Sequence, residues 1–396
     1  ISSSPCLENR LVYPCRHSKE REDRWEMKMD LAQLHRQVCF GQSEGRIIWQ
    51  PRIGCWYTDK HFAGEPFPAP FTGMNLYEIY RELGCSARLY EFNSCFKRIE
   101  DPAPKVEHLQ LNETDTQITI ATPVGKQTIV VRKTSSSPHP ITLKREVATE
   151  DELKVATWRE EHSTWQWDQQ QYERLLASVG DLGAPTMFMP RMNVQSLYVE
   201  KMGVAASVYA IYDWQDSVEA FFRAVDECHI RLIDVINASP IEIINLGENV
   251  HAGTLSPDLF LKYHLPACQM RCERLHQAGK FVSSHWDGDT RPLLPYAKET
   301  GLDAIEAITP QPQGDVTLEE VKEALGDDIF LLDGIPAVYF DKTFSEETLI
   351  ECTNRIIELF APKLVLGISD EISSTGDLER VRLVDRMVNE YNARFQ

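Results

Sequence analysis

From Thr186 to the C-terminus, short apolar runs of strand length alternate with longer stretches of helical length. The runs are Met187–Met189, Ile241–Leu246, Phe281–Ser284, Ala304–Ile308, Ile329–Leu332 and Lys363–Leu366. Helical patterns separate them, at about 194–210, 216–236, 257–278, 292–300, 317–325 and 348–359, and a last one covers 378–391. Continuous apolar strands spaced by helices are what a parallel sheet buried on both faces requires. Five or six such βα units in series favour a closed barrel over an open sheet. The expected fold is therefore α/β, a (β/α)8 TIM barrel.

The first half of the chain reads differently. Residues 1–45 are polar, with an amphipathic helical stretch around Trp25–Phe40, and Ile47–Trp49 is a short strand ending at Pro51 and Gly54. Gly64–Gly73 holds three prolines and is irregular, and Asn75–Leu83 is helical. Alternation over 116–133 about a Pro123–Lys126 turn predicts a β-hairpin. Asp151–Gly180 reads as one long helical region. These patterns divide the chain into a helical extension over 1–45 and a barrel over 46–396, with the hairpin inserted at about 114–134.

Several classes are excluded early. The formal charge is −19 with no Lys/Arg run, so no basic surface exists for phosphate contacts and no nucleic-acid partner is expected. No window of 18 consecutive apolar residues spans a membrane, and the first 30 residues lack an apolar signal core. Ten cysteines at irregular spacing read as reduced thiols, which points to the cytoplasm. Walker, G-x-G-x-x-G, G-x-S-x-G and H-E-x-x-H motifs do not occur.

In a barrel the working residues lie at the C-terminal ends of the strands. That rule selects Gly247-Glu248-Asn249, His285-Trp286-Asp287, Asp333-Gly334, Gly367–Glu371, and Arg52, Trp56 and Tyr57 after the early strand. His285-x-Asp287 is the sharpest cluster, because one imidazole and two or three carboxylates can hold a divalent ion with Glu248 and Asp370 approaching from neighbouring strands. The same two residues can equally cap the following segment. Arg52 can clamp a carboxylate or serve a structural ion pair. Trp49, Trp56, Tyr57, Trp214 and Trp286 suit an aromatic pocket or the core. Cys268-x3-Cys272 reads as two core thiols.

Six pieces occur in order: Trp49-x-x-Arg52, Thr122-Pro-Val-Gly125, Gly253-Thr-Leu-Ser-Pro257-Asp-Leu-Phe260, His285-x-Asp-Gly288, Asp333-Gly-Ile-Pro-Ala337 and Leu366-Gly367-x-x-Asp-Glu371. Together, from about residue 45 onward, they resemble the uroporphyrinogen decarboxylase family, a (β/α)8 superfamily that also contains cobamide-dependent methyltransferases. The decarboxylases show M-R-Q-A-G-R-Y; here Arg52 matches the first arginine and Trp56 replaces the second. Their late G-H-G is also missing, since Gly367-Ile368-Ser369 has no histidine. The methyltransferase branch binds zinc through H-x-C-G and a later G-x-G-C-E. Asp287 and Asp370 stand where those cysteines would be.

Replacing both thiolates by carboxylates hardens the ligand set, or removes the metal. The resemblance thus implies zinc or another divalent ion on His285, Asp287, Asp370 and Glu248, and an oxygen-bearing substrate. It implies the first methyltransferase of a corrinoid-dependent O-demethylase system, taking the methyl of a small aromatic methyl ether to cob(I)alamin on a separate carrier protein. His285, Asp287, Glu248 and Arg52 are then the catalytic candidates, and Trp49, Trp56, Tyr57, Trp286 and Asn193 the substrate-binding ones. The corrinoid motif D-x-H-x-x-G is absent, so the cobalamin must arrive on a partner. Transfer from methylcobamide to a thiol, decarboxylation of a smaller acid, and a non-catalytic corrinoid-protein-binding barrel are the competing readings.

Overall fold

The computed structural model describes residues 30–395. The helix expected over 25–40 falls partly outside them; its described part is α1 (Leu31–Cys39), capped by the Asp30 carboxylate on the Gln33 N–H. Thirteen strands follow among the described residues. They are β1 (Ile48–Gln50), β2 (Phe96–Glu100), β3 (Lys105–Gln110), β4 (Asp115–Thr122), β5 (Gly125–Arg132), β6 (Ile141–Lys144) and β7 (Ser163–Trp167), then β8 (Thr186–Met189), β9 (Ile243–Val250), β10 (Phe281–Trp286), β11 (Ala304–Glu306), β12 (Phe330–Pro336) and β13 (Leu364–Ser369).

Seven of these strands form one parallel sheet in the order β1-β13-β12-β11-β10-β9-β8. Its two edges meet through residues 86–89, which hold the place of an eighth strand. Ser86 N donates to Trp49 O at 3.0 Å, Ala87 N to Leu182 O at 2.9 Å, and Thr186 N to Leu89 O at 3.3 Å. Gln50 Nε2 reaches Ser86 Oγ at 2.9 Å. The closing segment makes no regular ladder, and it is tight: a side chain at Gly183 would collide with Ala87 O. The barrel expected from the sequence is thus present.

Strand periodicity sorts the core into two layers. Ile48, Ile243, Phe281, Ala304, Phe330, Leu332 and Val365 pack together with Leu34, Val38 and Cys39 of α1. The helix therefore stops the floor of the barrel with its apolar face, and Arg36 holds it there by a two-point ion pair with Glu242, 2.8 Å at Nη2. The larger cluster, including Trp49, Trp56, Trp286, Phe260 and Phe340, fills the space between sheet and outer helices.

Residues 96–167 leave the barrel and return. The expected hairpin is present as β4–β5 but sits inside a four-stranded antiparallel sheet, β3-β4-β5-β6. The edge strand β3 is exposed along its whole length, so no apolar alternation betrays it. The single helix expected over 151–180 is in fact helix Glu150–Glu161, strand β7 and helix Gln169–Val179. Ser-Thr-Trp-Gln-Trp alternates, Trp167 packs edge-on against Phe96 at 5.1 Å, and Asp168 caps the next helix through the Gln171 N–H. Pairing with β2 wins over helix propensity there. Among the described residues no helix is long and apolar enough to cross a membrane.

Candidate active site

The barrel strands run further than their apolar cores suggest. β9 reaches Val250, β10 Trp286, β12 Pro336 and β13 Ser369, so Gly247–Asn249, His285–Trp286, Asp333–Gly334 and Gly367–Ser369 are rungs of strands, while Asp287, Asp370 and Glu371 lie just beyond them. Non-glycine residues with positive φ stand just past β11 (Ala307, 67°), within β12 (Asp333, 79°) and just past β13 (Asp370, 68°). Such backbone is sparsely populated by residues with a side chain and collects where a mouth is being shaped. β9 also bulges against β10, with Leu246 opposite Ser284 but Val250 opposite Trp286.

A buried polar cluster fills the mouth, centred on Glu306 at the end of β11. Its Oε1 accepts from Arg88 Nη1 and, at 3.0 Å, from the Tyr90 hydroxyl. Its Oε2 accepts from Asn245 Nδ2 and lies 3.5 Å from His285 Nδ1. Arg88 forks onto Asp333 as well, 2.7 Å from Nη2 and 3.1 Å from Nη1. Arg52 stands beside the pair, with Nη1 3.8 Å from Glu306, 4.0 Å from Asp333, and Nε 3.6 Å from Glu371. On the other side of the imidazole, His285 Nε2 is 4.0 Å from Asp287 Oδ2. Asn249 Nδ2 donates to that same oxygen at 3.3 Å and is itself held by Arg191 at 2.8 Å.

Close packing makes this possible at one glycine. A Cβ on Gly367 would fall on Asp333 Oδ1 and lie 2.9 Å from Gln50 O. Five atoms of this cluster are buried with no hydrogen-bond partner among the described residues: Arg52 Nη1, Arg191 Nε, Asn245 Oδ1, His285 Nδ1 and Asp287 Oδ1.

The charges divide unequally. Burial would push the Glu306 carboxyl up, but Arg88, His285 and Arg52 outweigh it and hold Glu306 well below the usual carboxylate range. Asp333 is pushed up, by burial first and by the charge of Glu306, against the pull of Arg88. Arg88 stays charged because two carboxylates face it, although burial acts in the opposite sense. Tyr90 is driven well above the ordinary phenol range by burial and by Glu306, so it is a neutral donor.

Of the residues selected from the sequence, the mouth gathers Arg52, Asn249, His285, Asp287, Asp333 and Glu371. Glu248 lies elsewhere: its Oε1 accepts from Met192 N at 2.7 Å and its Oε2 faces His264 Nδ1 at 3.9 Å. Burial raises Glu248 to about 8 and lowers His264 to about 3, with Arg271 adding to the latter. Asp370 is exposed at the end of β13, and its neighbour Glu371 makes the contact with Arg52. Trp49 stacks on Phe340, Trp56 on Phe67, and Trp286 meets Phe260 edge-on, all within the outer apolar core. Tyr57 stacks on Phe67 and His61. Asn193 is buried and donates to Tyr263 O at 3.0 Å.

The four residues expected to bind metal are therefore spread over separate places. His285 and Asp287 face one another, but among the described residues no three His, Cys, Asp or Glu side chains converge as donors. This arrangement does not fit an ion held by His285, Asp287, Asp370 and Glu248 together.

Arg88, Tyr90, Asn245 and Glu306 were not singled out by sequence. One signal was there for Glu306: a lone acid within the apolar run Ala304-Ile305-Glu306-Ala307-Ile308 must be paired if buried.

A family model described as uroporphyrinogen decarboxylase (URO-D) matches residues 186–391, just over half of the chain. No curated protein sequence matches. Among solved structures, a methyltransferase from Methanosarcina mazei superposes with a TM-score of 0.54 at 14% identity, covering 90% of this chain and 97% of that one. At that identity the likeness is one of fold. A type I 3-dehydroquinate dehydratase from Clostridium difficile covers 57% of this chain and 75% of its own at 12% identity, with a TM-score of 0.30. A GH18 chitinase from Flavobacterium johnsoniae covers 56% and 81% at 11%, with a TM-score of 0.31.

Proposed function

Because the chain belongs to the uroporphyrinogen decarboxylase family, we propose that it serves that superfamily's methyl-transfer chemistry, moving the methyl group of a methoxylated aromatic to cob(I)alamin carried by a separate corrinoid protein. The observation that carries this reading is the charge of the mouth. Four carboxylates, Asp287, Glu306, Asp333 and Glu371, face two guanidiniums, and Arg88 is fully committed to Glu306 and Asp333. A porphyrinogen bearing eight carboxylates needs several free cations, and of these two guanidiniums Arg52 alone is without a hydrogen-bonded acceptor, its carboxylate contacts lying at 3.6, 3.8 and 4.0 Å. The likeness to the Methanosarcina mazei methyltransferase, over 90% of this chain and 97% of that one, supports the same choice.

A phenolate leaves poorly from an ether unless its oxygen is protonated or otherwise stabilised as the C–O bond breaks. The cobalt of the carrier supplies the nucleophile, so this chain needs none. Its residues bind, orient and handle one proton. Arg52 Nη1 offers a hydrogen bond to an oxygen of the donor. His285 Nε2, turned toward Asp287, is the ring atom that takes up a proton from solvent and passes it to the departing phenolate oxygen, the doubly protonated ring standing between Glu306 at Nδ1 and Asp287 at Nε2. Tyr90 and Arg88 keep Glu306 in place behind the ring. Zinc or another divalent ion enters this reading only through the His285–Asp287 pair, and no step depends on it.

The test is a methyl-donor screen on the purified chain with a reduced corrinoid protein, read by demethylated product and by the cobalt spectrum, beside metal content of the same protein. Corrinoid-dependent demethylation of a methoxylated aromatic, lost in His285→Ala, is the expected result. Methyl transfer to thiols alone, CO2 release from a carboxylated substrate, or carrier binding without any turnover would each replace the proposal by one of its competitors.

A further inference from the structure

Glu306 reaches the histidine with only one of its two oxygens, and the other oxygen is fully occupied. We propose that Glu306 is the positioning residue of the site: it fixes the His285 tautomer with the proton on Nδ1, leaving Nε2 as the single ring atom that works in the mouth. The donors around the carboxylate are asymmetric. Arg88 and Tyr90, neither of which can accept in this setting, both donate to Oε1. Oε2 receives the Asn245 amide and faces His285 Nδ1 at 3.5 Å. At that distance the pair is an ion contact and not a formed hydrogen bond, but the nearest group to Nδ1 is an ionised carboxylate that can only accept, and this favours hydrogen on Nδ1. Asn245 is itself oriented by the same scaffold, since its Nδ2 also reaches Ser283 Oγ at 3.0 Å. The whole group is buried, and β10–β11 pairing sets His285 directly opposite Glu306.

The asymmetry makes a sharp test possible. In Glu306→Gln the two donors Arg88 and Tyr90 hold the amide oxygen at the Oε1 position, which puts the NH2 opposite His285 and Asn245, whose own amide turns to present its unpartnered oxygen. An NH2 donates, so Nδ1 must become an acceptor and the ring proton must move to Nε2. Glu306→Asp keeps an acceptor and keeps the proton on Nδ1. The ring nitrogens are read by long-range 15N–1H NMR of 15N-histidine-labelled protein, with His285 assigned from a His285→Gln sample. The expected result is Nδ1–H in wild type and Glu306→Asp, and Nε2–H in Glu306→Gln. The same tautomer in wild type and Glu306→Gln, or Nε2–H in wild type, overturns the inference.

The catalytic consequence rests on the proposed methyl transfer and is measured separately. Glu306→Gln should lower kcat by about 10²–10⁴-fold, the share that a positioned proton donor supplies, with KM for the donor within about twofold, and Glu306→Asp should recover part of the loss. A tautomer that follows residue 306 while kcat does not change would leave Glu306 without its positioning role in catalysis. The spectrum is taken on resting protein without donor or corrinoid, so failure of the methyl-transfer reading does not touch the tautomer result.

Discussion

Replacing Arg88 by methionine removes the one cation that two buried carboxylates share. Methionine retains most of the stem's packing volume, so the change is chiefly one of charge. Glu306 and Asp333 have side chains with 0% exposure, and without Arg88 their nearest cation is Arg52, at 3.8 and 4.0 Å and with poor geometry. Breaking a buried pair by deleting one partner typically costs about 3–5 kcal/mol. Here protonation limits the cost, because Asp333 is already pushed up by burial and by its neighbour. Once Arg88 is gone, the main pull opposing burial at Asp333 is lost, and its folded-state value rises further above the unfolded one. The native state then binds more protons than the unfolded state, and its stability falls as pH rises. Urea unfolding of wild type and Arg88→Met at pH 5 and pH 8 measures this directly. The expected destabilisation is about 3–5 kcal/mol at pH 8 and clearly less at pH 5. A loss below about 1 kcal/mol at pH 8, within the range of an exposed ion pair, or a larger loss at pH 5, would refute the account of the cluster.

Gly367→Ala places a methyl against Asp333 Oδ1; it should cost about 1–3 kcal/mol in the same unfolding assay and also disturb the mouth, seen as weaker donor binding. Glu248→Gln tests the burial of a group outside the mouth. Glu248 is raised to about 8, so its contribution to stability is complete below the unfolded carboxylate range and is lost as pH rises through about 8. The glutamine variant should match wild type near pH 5 and be the more stable at pH 9. Equal pH profiles for the two proteins would place Glu248 in contact with solvent.

The barrel was legible because six of its strands are buried on both faces and so appear as uninterrupted apolar runs. The closing segment at 86–89 was not, since Ser86 and Arg88 interrupt it and its pairing partners are scattered over Trp49, Leu182 and Thr186. His285, Asp287 and Arg52 could be found because strand-end position alone selects them. Glu248 obeys the same rule, but it lies within the β9 bulge, and its carboxyl meets Met192 N and His264 instead of the mouth. The tryptophans mislead for a related reason. Trp49 and Trp286 sit on strands next to inward residues, and period-two alternation sends them to the opposite face. Nothing local in the sequence announces Arg88, whose role depends on carboxylates 218 and 245 residues away.

The seam at 86–89 has a further meaning for how this barrel can change over time. In an ordinary barrel, closure is the business of backbone ladders, and mouth chemistry is free to drift. Here the last gap is spanned by a few scattered backbone bonds together with Arg88 gripping acids on the far wall. Architecture and reactivity are thereby written in the same residues. A lineage that altered the acids to suit a new substrate would loosen its own enclosure, and one that tightened the enclosure with a regular strand would displace the arginine. Specificity should therefore shift mainly at Arg52, Asp287 and the loops above them, with the Arg88, Glu306 and Asp333 set left alone.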